Sequence, residues 1–330
     1  VIIVNDDDMD NGQPVDVKVK VLIIGGITGY LGQLLCIGLS REQGISEIHA
    51  SSTTTSSQSQ SPPTTAKTIH LDLLDEASVT AVLSEGSYDV VVNTAAVSQP
   101  AVCETSSTAA AINVPTHLVA ALENTNTLLI HISTDQVYDG SSRDSTESTA
   151  PNPINAYGRS KLQAEACIRE APNLSHVILR SSIIVGPEVE GVERPLFVQF
   201  IRDRLLAKQP TDYVTDEFRS PIFAQDICRI IAWFVRQRVA HPDTTFRELY
   251  CMGGVERLSR HDMAHAVATA LGIDASAASD LIVATSSAAM DRPYASPRDI
   301  SMDSSALARR TGIQCRPFRG ALLKEILQLS

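Results

Sequence analysis

Tyr157 and Lys161 stand four residues apart in the run Tyr157-Gly158-Arg159-Ser160-Lys161, and Thr134 lies upstream in Ser133-Thr134-Asp135. On a helix, a spacing of four puts both side chains on one face, so the Lys161 ammonium can approach the Tyr157 phenol. A free tyrosine ionises near pH ~10, and an adjacent cation makes the phenolate less costly. The spacing therefore predicts a phenol acidified enough to exchange a proton at neutral pH. A threonine hydroxyl aimed at the same point would complete a set suited to a carbonyl, where charge grows on oxygen as hydride adds to carbon. Plainer readings exist for each residue. Tyr-x-x-x-Lys recurs by chance on helix surfaces, Thr134 could cap the end of a strand, and Tyr157 could pack with its hydroxyl in water. The elements around them decide.

Near the N-terminus the apolar run Val19 to Ile24 passes directly into Gly25-Gly26-Ile27-Thr28-Gly29-Tyr30-Leu31-Gly32 and then into a helical pattern. Strand, glycine turn and helix in that order form the opening of a dinucleotide site. Gly26 is expected to allow the tight turn, Gly29 to let a pyrophosphate approach backbone N–H groups, and Gly32 to let helix and strand pack closely. Thr28, Tyr30 and Leu31 fall within the same contact run.

Positioning these residues requires an alternating fold. Short apolar runs at Val19–Ile24, Glu47–Ala50, Thr68–Leu71, Val90–Asn93, Leu128–Ser133 and Val177–Arg180 read as strands. Helical patterns cover Leu31–Arg41, Glu76–Ser84, Thr108–Glu123 and Ala156–Glu170, each between two of those strands. The expected class is α/β, a doubly wound parallel sheet of Rossmann type, with a smaller C-terminal α+β substrate lobe. Residues 1–17 read as a tail, 18–180 as the NAD(P)-binding domain, and 181–330 as mainly the lobe, with 221–252 returning to the first domain. The Ser, Thr, Gln and Pro of residues 51–66 read as a disordered insertion.

The chain has 330 residues, 43% apolar and 20% charged, with a net charge of -11. That acidic balance argues against a nucleic-acid surface, so an anionic ligand must be met by local positive groups. Six cysteines form no Cys-x-x-Cys pair and no zinc spacing with histidine, so reduced thiols and no metal are expected. His131 and His265 likewise read as structural or solvated. No apolar stretch approaches the ~20 residues of a membrane span. Cytoplasmic residence is the expectation, and because the chain opens without methionine, a missing preceding segment stays an open reading.

With these motifs in place, the chain resembles the extended short-chain dehydrogenase/reductases from Lys18 to near the C-terminus. The run Ile132 to Gly140, then Pro151 to Lys161, then Leu179-Arg180, is similar to the branch holding dTDP-4-dehydrorhamnose reductase and the methionine adenosyltransferase β subunit. Arg292-Pro293, Asp299 to Leu307 and Pro317-Phe318-Arg319 resemble that branch's closing segment. The resemblance implies that Thr134 hydrogen-bonds the substrate carbonyl, Tyr157 donates the proton, and Lys161 also holds the nicotinamide ribose. It implies further that Asn113 braces the site and that Asn93 to Val97 lies under ribose and pyrophosphate, with Ala95 and Ala96 as cofactor contacts and Val97 toward substrate. A homodimer follows by family analogy alone.

Strand ends supply the remaining candidates. Asp72 and Leu73 would border adenine, although Asp72 could equally cap a helix. The second strand ends in Ser51-Ser52-Thr53 with no carboxylate to repel a 2′-phosphate, which favours NADP(H) over NAD(H). Arg219, Arg292 and Arg298 are candidates for a nucleotide diphosphate. Two readings remain. One is an NADPH-dependent reductase of a 4-keto-6-deoxy sugar nucleotide. The other is a non-catalytic NADP-binding regulatory subunit whose partner is a methionine adenosyltransferase catalytic subunit. A sugar-nucleotide 4,6-dehydratase would need a carboxylate where Gln136 stands, and an amide cannot serve as that base.

Overall fold

The computed structural model of the chain describes residues 18–53, 66–189, 192 and 196–328. The expected tail therefore lies outside the described residues, as do positions 54–65 of the expected insertion. Ser51, Ser52 and Ala66 belong to ordered structure.

Six strands of the central sheet come from the first half: β1 (Val19–Ile24), β2 (Ile45–Ser52), β3 (Lys67–His70), β4 (Val90–Asn93), β5 (Leu128–Thr134) and β6 (His176–Ser181). Val90, Val91 and Val92 are all fully buried, because a central parallel strand is covered on both faces and so reads as a continuous apolar run. The second strand is longer than its apolar signal, since Ser51 and Ser52 pair with Ile69 and His70 of β3. Those serines close a ladder that their composition disguised.

Between the strands lie α1 (Tyr30–Leu39), α2 (Glu76–Gly86), α3 (Pro100–Thr105), α4 (Ser107–Asn113), α5 (Thr116–Leu122) and α6 (Ala156–Glu170). The single helix expected over Thr108–Glu123 is two. Pro115 has no N–H and its ring crowds the preceding turn, which pushes Val114 to an extended φ of -103° and ψ of 102°. α6 begins at Asn155, whose side chain accepts the Gly158 N–H at 2.8 Å.

The second half contributes β7 (Ile184–Val185), α7 (Phe197–Leu206), β8 (Thr211–Val214), β9 (Phe218–Arg219), β10 (Ile222–Phe223), α8 (Ala224–Ala240), β11 (Arg247–Met252), β12 (Leu258–Ser259), α9 (Arg260–Ala270), α10 (Ala275–Leu281), β13 (Ile282–Thr285), α11 (Ser305–Thr311) and α12 (Ala321–Gln328). Its short strands pair as β10 with β7, β12 with β9 and β13 with β8. Val198, Ile201, Tyr213, Phe223, Met263 and Val267 form the lobe's own core.

The sheet order is β11-β6-β5-β4-β1-β2-β3, parallel at every junction. The chain winds outward from β1 through β2 and β3, then restarts at β4 and winds the other way. The resulting crevice lies at the carboxyl ends of β1 and β4, where open α/β sheets bind ligands. α8 lays Ile227, Ile231 and Phe234 into the same apolar core as Leu34 and Leu35 of α1. Among the described residues no helix is long and apolar enough to cross a membrane.

Candidate active site

Thr134 is the last residue of β5, 5% exposed. Its hydroxyl accepts the Gln136 N–H and donates to Asp135 Oδ1, both at 3.2 Å, and it lies beside the Tyr157 phenol, whose ionised form it favours. It is therefore a cap of the short turn after β5 and a partner of the tyrosine at once.

Tyr157 occupies the first turn of α6 and is 8% exposed. Burial drives its pKa well above the ordinary value; the Asp135 carboxylate and the Cys103 thiol add to that, and Thr134 opposes it. This reverses the acidification expected from the Tyr-x-x-x-Lys spacing. Lys161 is engaged elsewhere, its Nζ 2.9 Å from Nε2 of His131 on β5. Burial pushes the Lys161 pKa down to about 8, against the pull of Glu165. The same burial, with Lys161 beside it, holds His131 well below the usual histidine range.

A frame of polar contacts fixes these groups. Asn113 Oδ1 accepts the Val97 N–H at 2.8 Å, while its Nδ2 donates to Val97 O at 3.1 Å and to Ser160 Oγ at 3.0 Å. One amide thus ties the loop after β4 to α6. Glu165 takes Arg180 Nε at 2.9 Å and Nη2 at 2.6 Å, and Ser133 Oγ donates to it at 2.5 Å. This pair is only 2% and 1% exposed, and it locks α6 to β5 and β6. Gln136 Oε1 accepts from the Asn155 cap at 2.8 Å.

The glycine turn is built differently in detail from the sequence expectation. The left-handed residue is Gly25, with φ +79°, whereas Gly26 lies against β2, where a Cβ would come within 2.8 Å of the Ala50 Cβ. At Gly32 a Cβ would fall 2.2 Å from the Gly25 carbonyl oxygen, so close packing is what this position demands. Gly29 is the N-cap of α1 and makes no side-chain capping bond. The first N–H groups of the helix are thus left to a ligand, and a pyrophosphate fits them. Thr28 is exposed beside this turn. The Leu31 side chain is in the core, so only its backbone can face a ligand. Tyr30 donates to Pro187 O at 3.0 Å, bridging α1 to the loop after β7.

Ser51 accepts the Gly25 N–H at 3.0 Å and so supports the turn from β2. Asp72 Oδ1 accepts the Leu74 N–H at 2.9 Å, and the cap of α2 is Asp75 instead. Leu73 is buried in the core, Ala95 is half-buried with its N–H on Asn93 Oδ1, and Ala96 is exposed.

On the lobe side, Arg292 Nη1 donates to Glu217 Oε1 at 2.7 Å. Arg219, 4% exposed, donates to Phe218 O at 2.7 Å and faces Asp135. Arg298 is turned outward, 77% exposed. Arg260 joins the group, close to Glu217, Arg292, Tyr294 and Asp135. Sequence reasoning missed it, although Ser259 and Asp262 form a capping box that puts Arg260 at the first position of α9. A cation there opposes the helix dipole and so hints at another purpose. His131, read from the sequence as structural or solvated, is buried against Lys161; a polar residue inside Leu128-Leu129-Ile130-His131-Ile132 must find partners when the strand is central.

The zebrafish Danio rerio methionine adenosyltransferase 2 subunit beta is 31% identical over 257 residues, covering 76% of each chain. A probable low-salt glycan biosynthesis reductase, Agl14 of Haloferax volcanii, is 28% identical over 88% of this chain and 91% of its own. Among solved structures, dTDP-4-dehydrorhamnose reductase of Yersinia enterocolitica superposes with a TM-score of 0.77 at 21% identity, covering 94% of this chain and 99% of that one. The Bacillus anthracis reductase, solved in complex with NADP, gives 0.74 at 19%, over 94% and 98%. The RmlD substrate binding domain matches from residue 19 to 330, across sheet and lobe together, and the chain belongs to that family, with the fold of the extended short-chain dehydrogenase/reductases.

Proposed function

We propose that the chain is an NADP(H)-dependent reductase that converts the ketone of a 4-keto-6-deoxy sugar nucleotide to the alcohol, with Tyr157 as proton donor. The observation that carries this reading is the meeting of the Thr134 hydroxyl and the Tyr157 phenol at the carboxyl end of β5. Lys161 lies one helical turn further along α6.

A bound nicotinamide dinucleotide supplies the hydride. The chain's own part is to hold and polarise. Backbone N–H groups at the start of α1 take the pyrophosphate. Thr134 turns its one hydroxyl proton from Asp135 Oδ1 to the substrate carbonyl, and Tyr157 transfers its proton to the oxygen as charge develops there. A phenol kept protonated by burial suits that direction, because it gives up its proton only to a strongly basic oxygen. Lys161 in its ammonium form holds the ribose hydroxyls and stabilises the phenolate left behind. Arg219, Arg260 and Arg292 outnumber the carboxylates Asp135 and Glu217 among them, and the remaining positive charge suits a diphosphate. The absence of a carboxylate at Ser51-Ser52-Thr53 favours NADP over NAD.

The test is oxidation of NADPH by purified protein offered dTDP- and UDP-4-keto-6-deoxyglucose, with and without a 3,5-epimerase. Tyr157→Phe should lower turnover by roughly 10²–10⁴-fold with NADPH affinity unchanged. Arg292→Ala should raise the sugar-nucleotide KM and leave the cofactor Kd alone; an unmoved KM removes Arg292 from the site. The 31% identity to the methionine adenosyltransferase β subunit supports a second reading, an NADP-binding regulatory subunit. Tight NADPH binding without turnover, together with capture of the catalytic subunit, would favour it.

A further inference from the structure

His131 has no part in the chemistry described so far, yet it is 0% exposed and touches Lys161. Its protonation can be read from its neighbours. Ala95 N–H, which can only donate, lies 3.1 Å from Asn93 Oδ1. The Asn93 amide is therefore oriented, and its Nδ2 faces His131 Nδ1 at 3.2 Å. An amide nitrogen also only donates, so Nδ1 must be the unprotonated acceptor and the ring proton belongs on Nε2. That N–H points at Lys161 Nζ, 2.9 Å away. An ammonium has three donors and no acceptor, and only a neutral amine offers a lone pair.

We propose that His131 is a positioning residue for Lys161: with its proton on Nε2 it binds the lysine as a neutral amine, and so sets the pH range in which the ammonium form is available. The inference deepens the ketoreductase reading of this site. An ammonium must turn Nζ away from His131, so uptake of a proton and reorientation toward the crevice become one event.

The surroundings agree. From β4 only the Asn93 amide faces the ring, and Asn93 is 1% exposed. On α6, Glu165 favours the ammonium, but Arg180 from β6 and Ser133 from β5 already engage that carboxylate. Tyr157, on the same helix, is held as a neutral phenol. Burial lowers both the lysine and the histidine, which removes the imidazolium as an alternative.

Long-range ¹H–¹⁵N NMR of the free protein labelled at histidine, recorded above pH 8 where the Lys161 amine predominates, reads the tautomer directly. The expected result is an unprotonated Nδ1 and a protonated Nε2, with the His131 signal assigned by its loss in His131→Gln. A proton on Nδ1, or a charged ring, above that pH overturns the proposal. Glutamine can turn its oxygen toward the lysine and accept from an ammonium, so the Lys161 pKa, followed through its ¹³Cε shift, should rise by about one unit in that variant. Asn93→Asp gives an independent arm. Its carboxylate accepts from both Ala95 and Nδ1, which moves the ring proton to Nδ1 and should raise the Lys161 pKa likewise; no rise in either variant counts against the proposal. Neither readout uses turnover, so a protein that reduces no ketone can still pass, and a competent reductase can still fail.

Discussion

Lys161 sits at 1% exposure, with a pKa lowered from 10.5 to about 8 by burial. A lysine depressed in the folded state opposes folding below pH 8, where the unfolded chain binds the proton more tightly, and this penalty fades as pH rises through 10.5. Lys161→Met should therefore abolish reduction while stabilising the fold at pH 7, by about 1–2 kcal/mol once the lost His131 contact is subtracted. Urea unfolding at pH 7 and again above pH 10 checks this, because the gain should disappear at the higher pH. A variant less stable than wild type at pH 7 would mean that Lys161 is better accommodated than its surroundings indicate. The identity of this residue was legible from spacing, but its immediate partner was not. Residue spacing along α6 reports one helix, whereas His131 reaches Lys161 from β5, through a strand neighbourhood that only the assembled sheet defines.

At the scale of elements, α6 is held by the buried Glu165–Arg180 pair. Removing Arg180 alone, as in Arg180→Leu, leaves an unpaired carboxylate and should cost about 3–5 kcal/mol; removing both charges together should cost much less. Thermal and denaturant unfolding of the two singles and the double make a cycle that separates pairing from desolvation. The glycine turn makes a sharper claim. Gly32→Ala places a Cβ 2.2 Å from a backbone oxygen, Gly25 O, so α1 must shift, and NADPH affinity should fall at least tenfold, read by fluorescence titration. Strands were legible wherever burial on both faces forced an apolar run, as in β4. The helix expected over Ala156–Glu170 has those bounds, and Asn155 caps it. The single helix expected over Thr108–Glu123 failed at Pro115, a residue whose effect local periodicity cannot weigh. Ser51 and Ser52 failed differently, because their composition suggests a linker while their backbones complete β2.

For the whole molecule, the arginines of the lobe face the carboxyl ends of the sheet from a chain whose net charge is -11. Local clustering, not the overall field, must draw an anionic substrate, so added salt should weaken sugar-nucleotide binding mainly through that cluster. NADPH at 100 times its Kd should raise stability by about 2.7 kcal/mol, and should do so equally in Tyr157→Phe, which a melting experiment tests without any turnover.

The return of β11 to the sheet also bears on how the chain folds. β6 ends at Ser181, and its outer partner does not begin until Arg247. During synthesis the strand bearing Val177, Ile178 and Leu179 must wait, with one edge open, while much of the lobe is made. Such sequence-distant pairing slows folding and leaves a template for intermolecular strand addition. A chain cut after Ser181 should accordingly be found in inclusion bodies. α8 and β11 bring Ile227, Ile231, Phe234 and Met252 to the sheet core, so in the intact protein that core is completed only late and should be lost in one transition.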